Sequence, residues 1–253
     1  MNSNMKKILI NLLFCIPFLI GCTTNDVDFV PEGPGTNDYY EISDAAFAEY
    51  MIYNSTLPPS NDNALPANVC FKEEGKYWID KKKAATASKM YLVKDATRIK
   101  ALQEAGVPYA DVKIENIDGI QFFTSLEEIR LTSNVITGAL DFTMLTQLKI
   151  LEMNSNYVNS LKVPATMVRL RYSASNAATA PDNRWLESID LTACSQLNHV
   201  YLPNHHIGTG NFLIPTVYTD LKDIDVSGNP GAPFPIPAAL FNQLTTKSGV
   251  KAQ

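Results

Sequence analysis

Apolar positions recur in register along the C-terminal half of the chain. Leu126-x-x-Ile129-x-Leu131-x-x-Asn134-x-Ile136 is followed by Leu148-x-x-Leu151-x-Met153-x-x-Asn156-x-Val158, an offset of 22 residues at all five positions. Weaker copies are Met167-x-x-Leu170-x-Tyr172, Leu197-x-x-Val200-x-Leu202-x-x-His205-x-Ile207 and Leu221-x-x-Ile224-x-Val226-x-x-Asn229. Their starts lie 22, 19, 30 and 24 residues apart, the long interval absorbed by the polar stretch Ala174–Arg184. Leu186-x-x-Ile189-x-Leu191-x-x-Cys194 also fits, either as an extra short turn or as the far half of the fourth unit. Within each unit the alternation predicts one short strand whose apolar side chains share a core. Upstream, Ala46, Phe47, Tyr50 and Met51 share one face behind a Ser43/Asp44 cap, which predicts a helix over Ile42–Tyr53. Val93, Ala96, Ile99 and Leu102 predict a second over Val93–Glu104, stopped by Gly106-Val107-Pro108. A short strand is expected at Val69–Phe71, and a short helix over Ile236–Leu244 started by Pro237.

The recurring unit resembles the leucine-rich repeat. That resemblance implies an α/β fold, a leucine-rich-repeat solenoid with parallel strands on its concave face. It further implies a hydrogen-bond ladder through Asn134, Asn156 and Asn229, with His205 in the same slot and Cys194 as an accepted alternative. Ile42-x-Asp44-x-x-Phe47-x-x-Tyr50-Met51, together with Ile114-x-x-Ile117-x-Gly119-Ile120-x-x-Phe123-x-x-Leu126, resembles the cap and first repeats of internalin-like bacterial surface lipoproteins. A small, mainly helical N-terminal cap and a short C-terminal cap are therefore expected. The calcium-like loop of that family is not carried over, because Ser60-Asn61-Asp62-Asn63-Ala64-Leu65 lacks alternating carboxylates and the glycine.

The N-terminal segment changes the picture further. Lys6-Lys7 precede a short apolar run and then Leu19-Ile20-Gly21-Cys22, which resembles the lipobox of bacterial lipoproteins. The resemblance implies cleavage before Cys22 and lipid modification of its thiol, which anchors the chain to a membrane without a spanning helix. Thr23 and Thr24 in place of Asp imply the outer membrane; Asp26 and Asp28 leave both the periplasmic and the surface-exposed face open. The expected organisation is a signal peptide over 1–21, a linker over 22–40, a cap region over 41–113, repeats over 114–231 and a C-terminal cap over 232–253.

Charge narrows the partner. The chain has 21 Lys+Arg against 26 Asp+Glu, a net −5 that becomes −7 once Lys6 and Lys7 leave with the leader. Without a basic run there is no footprint for nucleic acid. Cys70 and Cys194 remain either as a disulfide or as buried free thiols. All three histidines, His199, His205 and His206, fall within eight residues, yet no spacing completes a metal site, and neither metal nor cofactor is expected. No nucleophile elbow or phosphate loop occurs, so no catalytic residue is assigned.

What is left is a surface. Side chains between the strand leucines point outward, giving Arg130, Glu152, Arg169, Arg171, His199, Tyr201, Asp223 and Asp225 as candidate binding residues on the concave strip. The expected function is a membrane-anchored binding protein for a protein or glycan partner. A structural or accessory envelope lipoprotein is the alternative, and an enzyme would need its site in 54–92.

Overall fold

The computed structural model describes residues 37–174, 185–218 and 220–253. The leader, Cys22, most of the linker and the insertion at 175–184 lie outside the described residues. Along the chain, β1 (Tyr39–Ile42) and helix α1 (Ala45–Asn54) precede β2 (Cys70–Glu73), β3 (Lys76–Asp80), the short helix α2 (Lys81–Ala84), β4 (Lys89–Tyr91) and helix α3 (Ala96–Glu104). Strands β5 (Glu128–Arg130), β6 (Thr137–Asp141), β7 (Ile150–Glu152), β8 (Tyr157–Lys162) and β9 (Arg169–Arg171) follow. Next are β10 (Ile189–Asp190), β11 (His199–Tyr201), β12 (Phe212–Leu213) and β13 (Asp223–Asp225). The chain closes with β14 (Phe234–Ile236), helix α4 (Ala238–Gln243), β15 (Thr246–Ser248) and β16 (Val250–Ala252). No helix among the described residues is long and apolar enough to cross a membrane.

Helix α1 starts where Asp44 Oδ1 accepts the Phe47 N–H at 2.8 Å, and it buries Ala46, Phe47, Tyr50 and Met51. The other Asp44 oxygen accepts the N–H groups of Glu115 and Asn116, at 2.8 and 2.9 Å, tying this cap to the segment that leads into β5. Helix α3 begins three residues later than the apolar pattern predicts, capped by Asp95. The residues before it still run with the sheet, Leu92 N–H donating to Arg130 and Lys94 N–H to Thr132.

One parallel sheet organises the molecule, in the order β15-β13-β11-β9-β7-β5-β4. The strand of each of the five sequence units lies in it, β5, β7, β9, β11 and β13 in succession. Their inward residues Ile129, Leu151, Leu170, Val200 and Ile224 are at most 1% exposed, as are Leu131, Met153, Tyr172, Leu202 and Val226 two places on, so the alternation marks core and solvent faces correctly. The sheet reaches past the repeats at both ends, with β4 on one side and β15 on the other. In β15 the inward slot is held by Lys247, which is exposed, its ammonium 4.6 Å from the centre of the Phe241 ring.

The expected leucine-rich-repeat solenoid is not what these elements form. The fold is α/β, but the remaining sheets are short and scattered: a three-stranded antiparallel sheet β1-β3-β2 and the two-stranded pairs β6-β8, β10-β12 and β14-β16. The described residues hold four α-helices, of 10, 4, 9 and 6 residues, which recur with no period. The physical reason lies in the sequence: only the inward strand positions and the turn that follows them repeat, and the segments between units differ in length and composition, so each takes its own conformation. The mainly helical N-terminal cap is likewise corrected, since that region contributes an antiparallel sheet and the edge strand β4. The extra copy at Leu186–Cys194 contributes β10, which pairs with β12 outside the main sheet.

Past the inward strand residues, in four of the five units, the chain turns through a left-handed residue, Ser133, Ser155, Asn204 or Gly228. At Gly228 a Cβ would sit 2.2 Å from the side-chain oxygen of Asn204 on the neighbouring turn, so a larger residue here would have to displace that side chain. The following residue then faces inward. Asn156 donates to the carbonyls of Met153 at 2.8 Å and Leu131 at 2.9 Å, while its oxygen accepts the Ile136 N–H at 3.1 Å. Asn134 and Asn229 repeat the arrangement with Leu131 and Leu92, and with Val226 and Leu202. In the third unit, where the pattern lacks the Asn, the Tyr172 hydroxyl substitutes, accepting from Val158 N–H at 2.7 Å and donating to Val158 O at 2.9 Å.

Two substitutions separate packing from polar satisfaction. Leu151→Ala should destabilise the protein by about 2–5 kcal/mol, as other buried large-to-small changes do. Asn156→Asp keeps the shape but turns two donors into acceptors facing carbonyls, and should unfold at lower denaturant than Asn156→Ala. Equilibrium denaturation of both series checks this.

Candidate functional site

The sheet register stacks its outward side chains into two columns. One runs Lys89, Glu128, Ile150, Arg169, His199, Asp223 and Thr246; the other runs Tyr91, Arg130, Glu152, Arg171, Tyr201, Asp225 and Ser248. All eight residues predicted for the strip therefore share one face. Cys22, the predicted lipidation site, lies outside the described residues.

The second column forms a continuous chain of contacts. The Arg130 guanidinium lies 4.8 Å from the Tyr91 ring centre, and its Nε donates to Glu128 Oε1 at 2.7 Å. It also approaches Glu152 at 3.8 Å. Arg171 reaches the other oxygen of Glu152 at 3.9 Å and lies 5.2 Å from the Tyr201 ring centre. The carboxylates lie beneath the cations: the Glu128 and Glu152 side chains are 12% and 14% exposed, against 41% and 44% for Arg130 and Arg171. What solvent meets is guanidinium and aromatic ring. Burial, then the hydrogen bond and charge of Glu128, push the Tyr91 hydroxyl above its ordinary range, so it stays protonated at neutral pH.

Toward the C-terminal end the acids are engaged locally. His199 Nε2 meets Asp223 Oδ2 at 2.7 Å, the other Asp223 oxygen accepts the Thr246 N–H at 3.1 Å, and Asp225 accepts from the Ser227 N–H and hydroxyl. Burial holds His199 below the usual histidine range, Asp223 opposing this, while Arg169, Lys222 and Arg171 reinforce it.

The three histidines diverge. His205 is 1% exposed and occupies the ladder position, its Nε2 2.6 Å from Tyr172 O and its Nδ1 facing the Leu186 N–H at 3.4 Å. A carbonyl opposite one nitrogen and an N–H opposite the other fit the neutral tautomer protonated on Nε2. His206 stacks on Trp185, with ring centres 4.1 Å apart. Among the described residues no group of three or more His, Cys, Asp or Glu is placed to hold a metal ion. Cys70 and Cys194 are buried free thiols, burial pushing them up to about 12 and about 11. The stretch 54–92 contributes Lys72 and Tyr77, where the Tyr77 hydroxyl donates to Glu49 at 2.8 Å and accepts from Lys72 at 3.0 Å. This contact ties α1 to the β2-β3 hairpin.

The register adds members that pattern reading misses. Lys89 and Tyr91 extend the columns at one end, Thr246 and Ser248 at the other. A signal for the first pair exists in Ala87-x-x-Met90-x-Leu92-x-x-Asp95, the repeat unit with Ala for its first Leu and Asp for its Asn. Beside the first column, Ser88, Lys89, Glu127, Glu128, Lys149 and Ile150 line a depression of about 230 Å³. No protein-family model matches this chain, and no curated protein does.

The ladder histidine makes stability pH-dependent. Burial, opposed by the Tyr172 carbonyl, lowers His205 to about 4, so between roughly pH 6.5 and 4 the unfolded chain takes up a proton that the folded chain refuses. Stability should be full above pH 6.5 and fall progressively toward pH 4. His205→Asn, which restores the amide found at Asn229, should flatten this slope in urea titrations at stepped pH.

Proposed function

We propose that this chain is an acyl-anchored lipoprotein of the bacterial envelope, held at the outer membrane through Cys22, which binds a macromolecular partner on its sheet face. The partner is a protein first and a glycan second, and no reaction is catalysed. One observation carries the reading: the unbroken row Tyr91, Arg130, Glu152, Arg171 and Tyr201 across five adjacent strands. At about 4.8 Å per strand it is on the order of 20 Å long. Arg and Tyr are the side chains that supply large contact area and directional donors at recognition surfaces. The carboxylates beneath hold the guanidiniums in place before a partner arrives, which reduces the ordering cost of binding. The anchor rests on the Leu19-Ile20-Gly21-Cys22 sequence. A second reading, a spacer with no dedicated ligand, draws on the internal pairing of Arg130 with Glu128 and Glu152.

Two experiments test the proposal. Cys22→Ala should abolish incorporation of labelled fatty acid and release the protein from membranes; a mutant that stays membrane-bound after leader removal contradicts the anchor. In a pull-down against envelope and host extracts, the double variant Arg171→Ala/Tyr201→Ala should lose its partner by more than about 2 kcal/mol of affinity, the scale of interface hot spots. Lys100→Ala, on the exposed side of α3, should retain it. Equal recovery by both variants supports the spacer reading.

A further inference from the structure

The outward charges of the sheet do not balance evenly. Lys89 pairs with Asp62 at 3.3 Å and Arg130 with Glu128 at 2.6 Å, while His199, held below the usual histidine range, meets Asp223 at 2.7 Å as a hydrogen-bond partner. Arg171 reaches only Glu152, at 3.9 Å, an acid it shares with Arg130. Arg169, half-buried at the centre of the sheet, has no carboxylate within 4 Å among the described residues; its neighbours across the strands are Ile150 and His199. The Asp223 carboxylate one strand further is engaged by His199 and the Thr246 amide. The two columns hold four cations and four carboxylates, but Arg169 and Arg171, two residues apart on one strand and pointing the same way, have only the shared Glu152 within 4 Å among the described residues, which leaves a locally cationic spot at β9. Complementarity across an interface calls for an acidic group opposite such a spot, and planar guanidiniums suit carboxylates best.

The neighbouring position selects between classes of acidic partner. Ile150 is the one aliphatic residue among the fourteen of the two columns. It faces outward, half-buried, at the edge of the 230 Å³ depression and next to Arg169 in the register. The hydroxyl-covered surface of an acidic glycan gains little from an isoleucine beside Arg169. A polypeptide that carries an aliphatic side chain close to a carboxylate satisfies both features, burying apolar area at Ile150 while its acid meets the guanidiniums.

Resting on the reading of the sheet as the binding face, we propose that Arg169, Arg171 and Ile150 form a receptor for an acidic, aliphatic segment of a protein partner. Its Asp or Glu carboxylate lies across Arg169 and Arg171, and an adjacent Leu, Ile or Val side chain packs on the exposed part of Ile150.

The test is selection of a random displayed-peptide library on the purified full chain in detergent, followed by fluorescence anisotropy with one synthesised winner. Wild type should enrich peptides with Asp or Glu within two or three residues of Leu, Ile or Val. Arg169→Ala should weaken the winner by about tenfold, the effect of losing one charged contact at an interface, and Ile150→Ser by a similar factor. The charge reversal Arg169→Glu/Arg171→Glu should shift selection toward Lys and Arg, with the core untouched and the melting temperature lowered only modestly by the new repulsion against Glu152. Enrichment without acids that is still lost in Tyr201→Ala overturns the acidic-segment proposal and leaves the binding face standing. Binding of oligogalacturonate in place of any peptide, with the same dependence on Arg169, overturns it in favour of a glycan. Retention of nothing, with partner recovery equal in all sheet variants, overturns both.

Discussion

Everything in this molecule depends on how the chain leaves the sheet. After each short strand the backbone must turn beneath its neighbour, and that turn buries N–H and C=O groups that no strand can pair. Asn134, Asn156 and Asn229 meet the need with a single amide each, two donors to carbonyls and one acceptor for an N–H. An unsatisfied buried polar group costs about 1–3 kcal/mol, so these few side chains decide whether three-residue strands can stand next to one another. Where the amide is missing, the structure supplies other chemistry with one donor and one acceptor: the Tyr172 hydroxyl in the third unit and the His205 ring in the fourth.

A sheet held this way leaves most of its outward face free for other use, since core packing does not constrain those side chains and, among the described residues, only Asp223 and Asp225 are tied to neighbouring backbone amides. The outward columns nonetheless hold ordered contacts, ring to guanidinium to carboxylate to guanidinium to ring. Individually such exposed pairs contribute little to stability. Their effect is to fix the orientation of long side chains that would otherwise sample many rotamers.

The inward half of the fold is legible in the sequence because burial imposes it. A wrong residue at Ile129, Leu151 or Val200 would face the core, so the alternation survives as a readable pattern. The ladder asparagines are legible for the same reason. The return segments are not: β6, β8, β10 and β12 come from stretches of unlike length, each answering to local sequence, so a periodic solenoid read from the inward positions does not extend to them. The first strand of the sheet, β4, is hidden because Ala87 and Asp95 replace the residues that mark the unit, while β15 keeps only Leu244 of its pattern. Of the site, membership of the face was readable from alternation. The partnering within it, such as Glu152 shared by two arginines, needs the cross-strand register that only three dimensions supply.

The last strand of the sheet carries one more consequence. Open parallel edges invite a further strand from another molecule, and an apolar, uninterrupted edge is a route to aggregation. In β15 the slot that is Ile224 one strand earlier is a lysine, exposed and resting on Phe241. A strand added there would have to cover that ammonium at some cost, so Lys247 has the character of the edge charges that discourage a sheet from continuing into a neighbouring molecule.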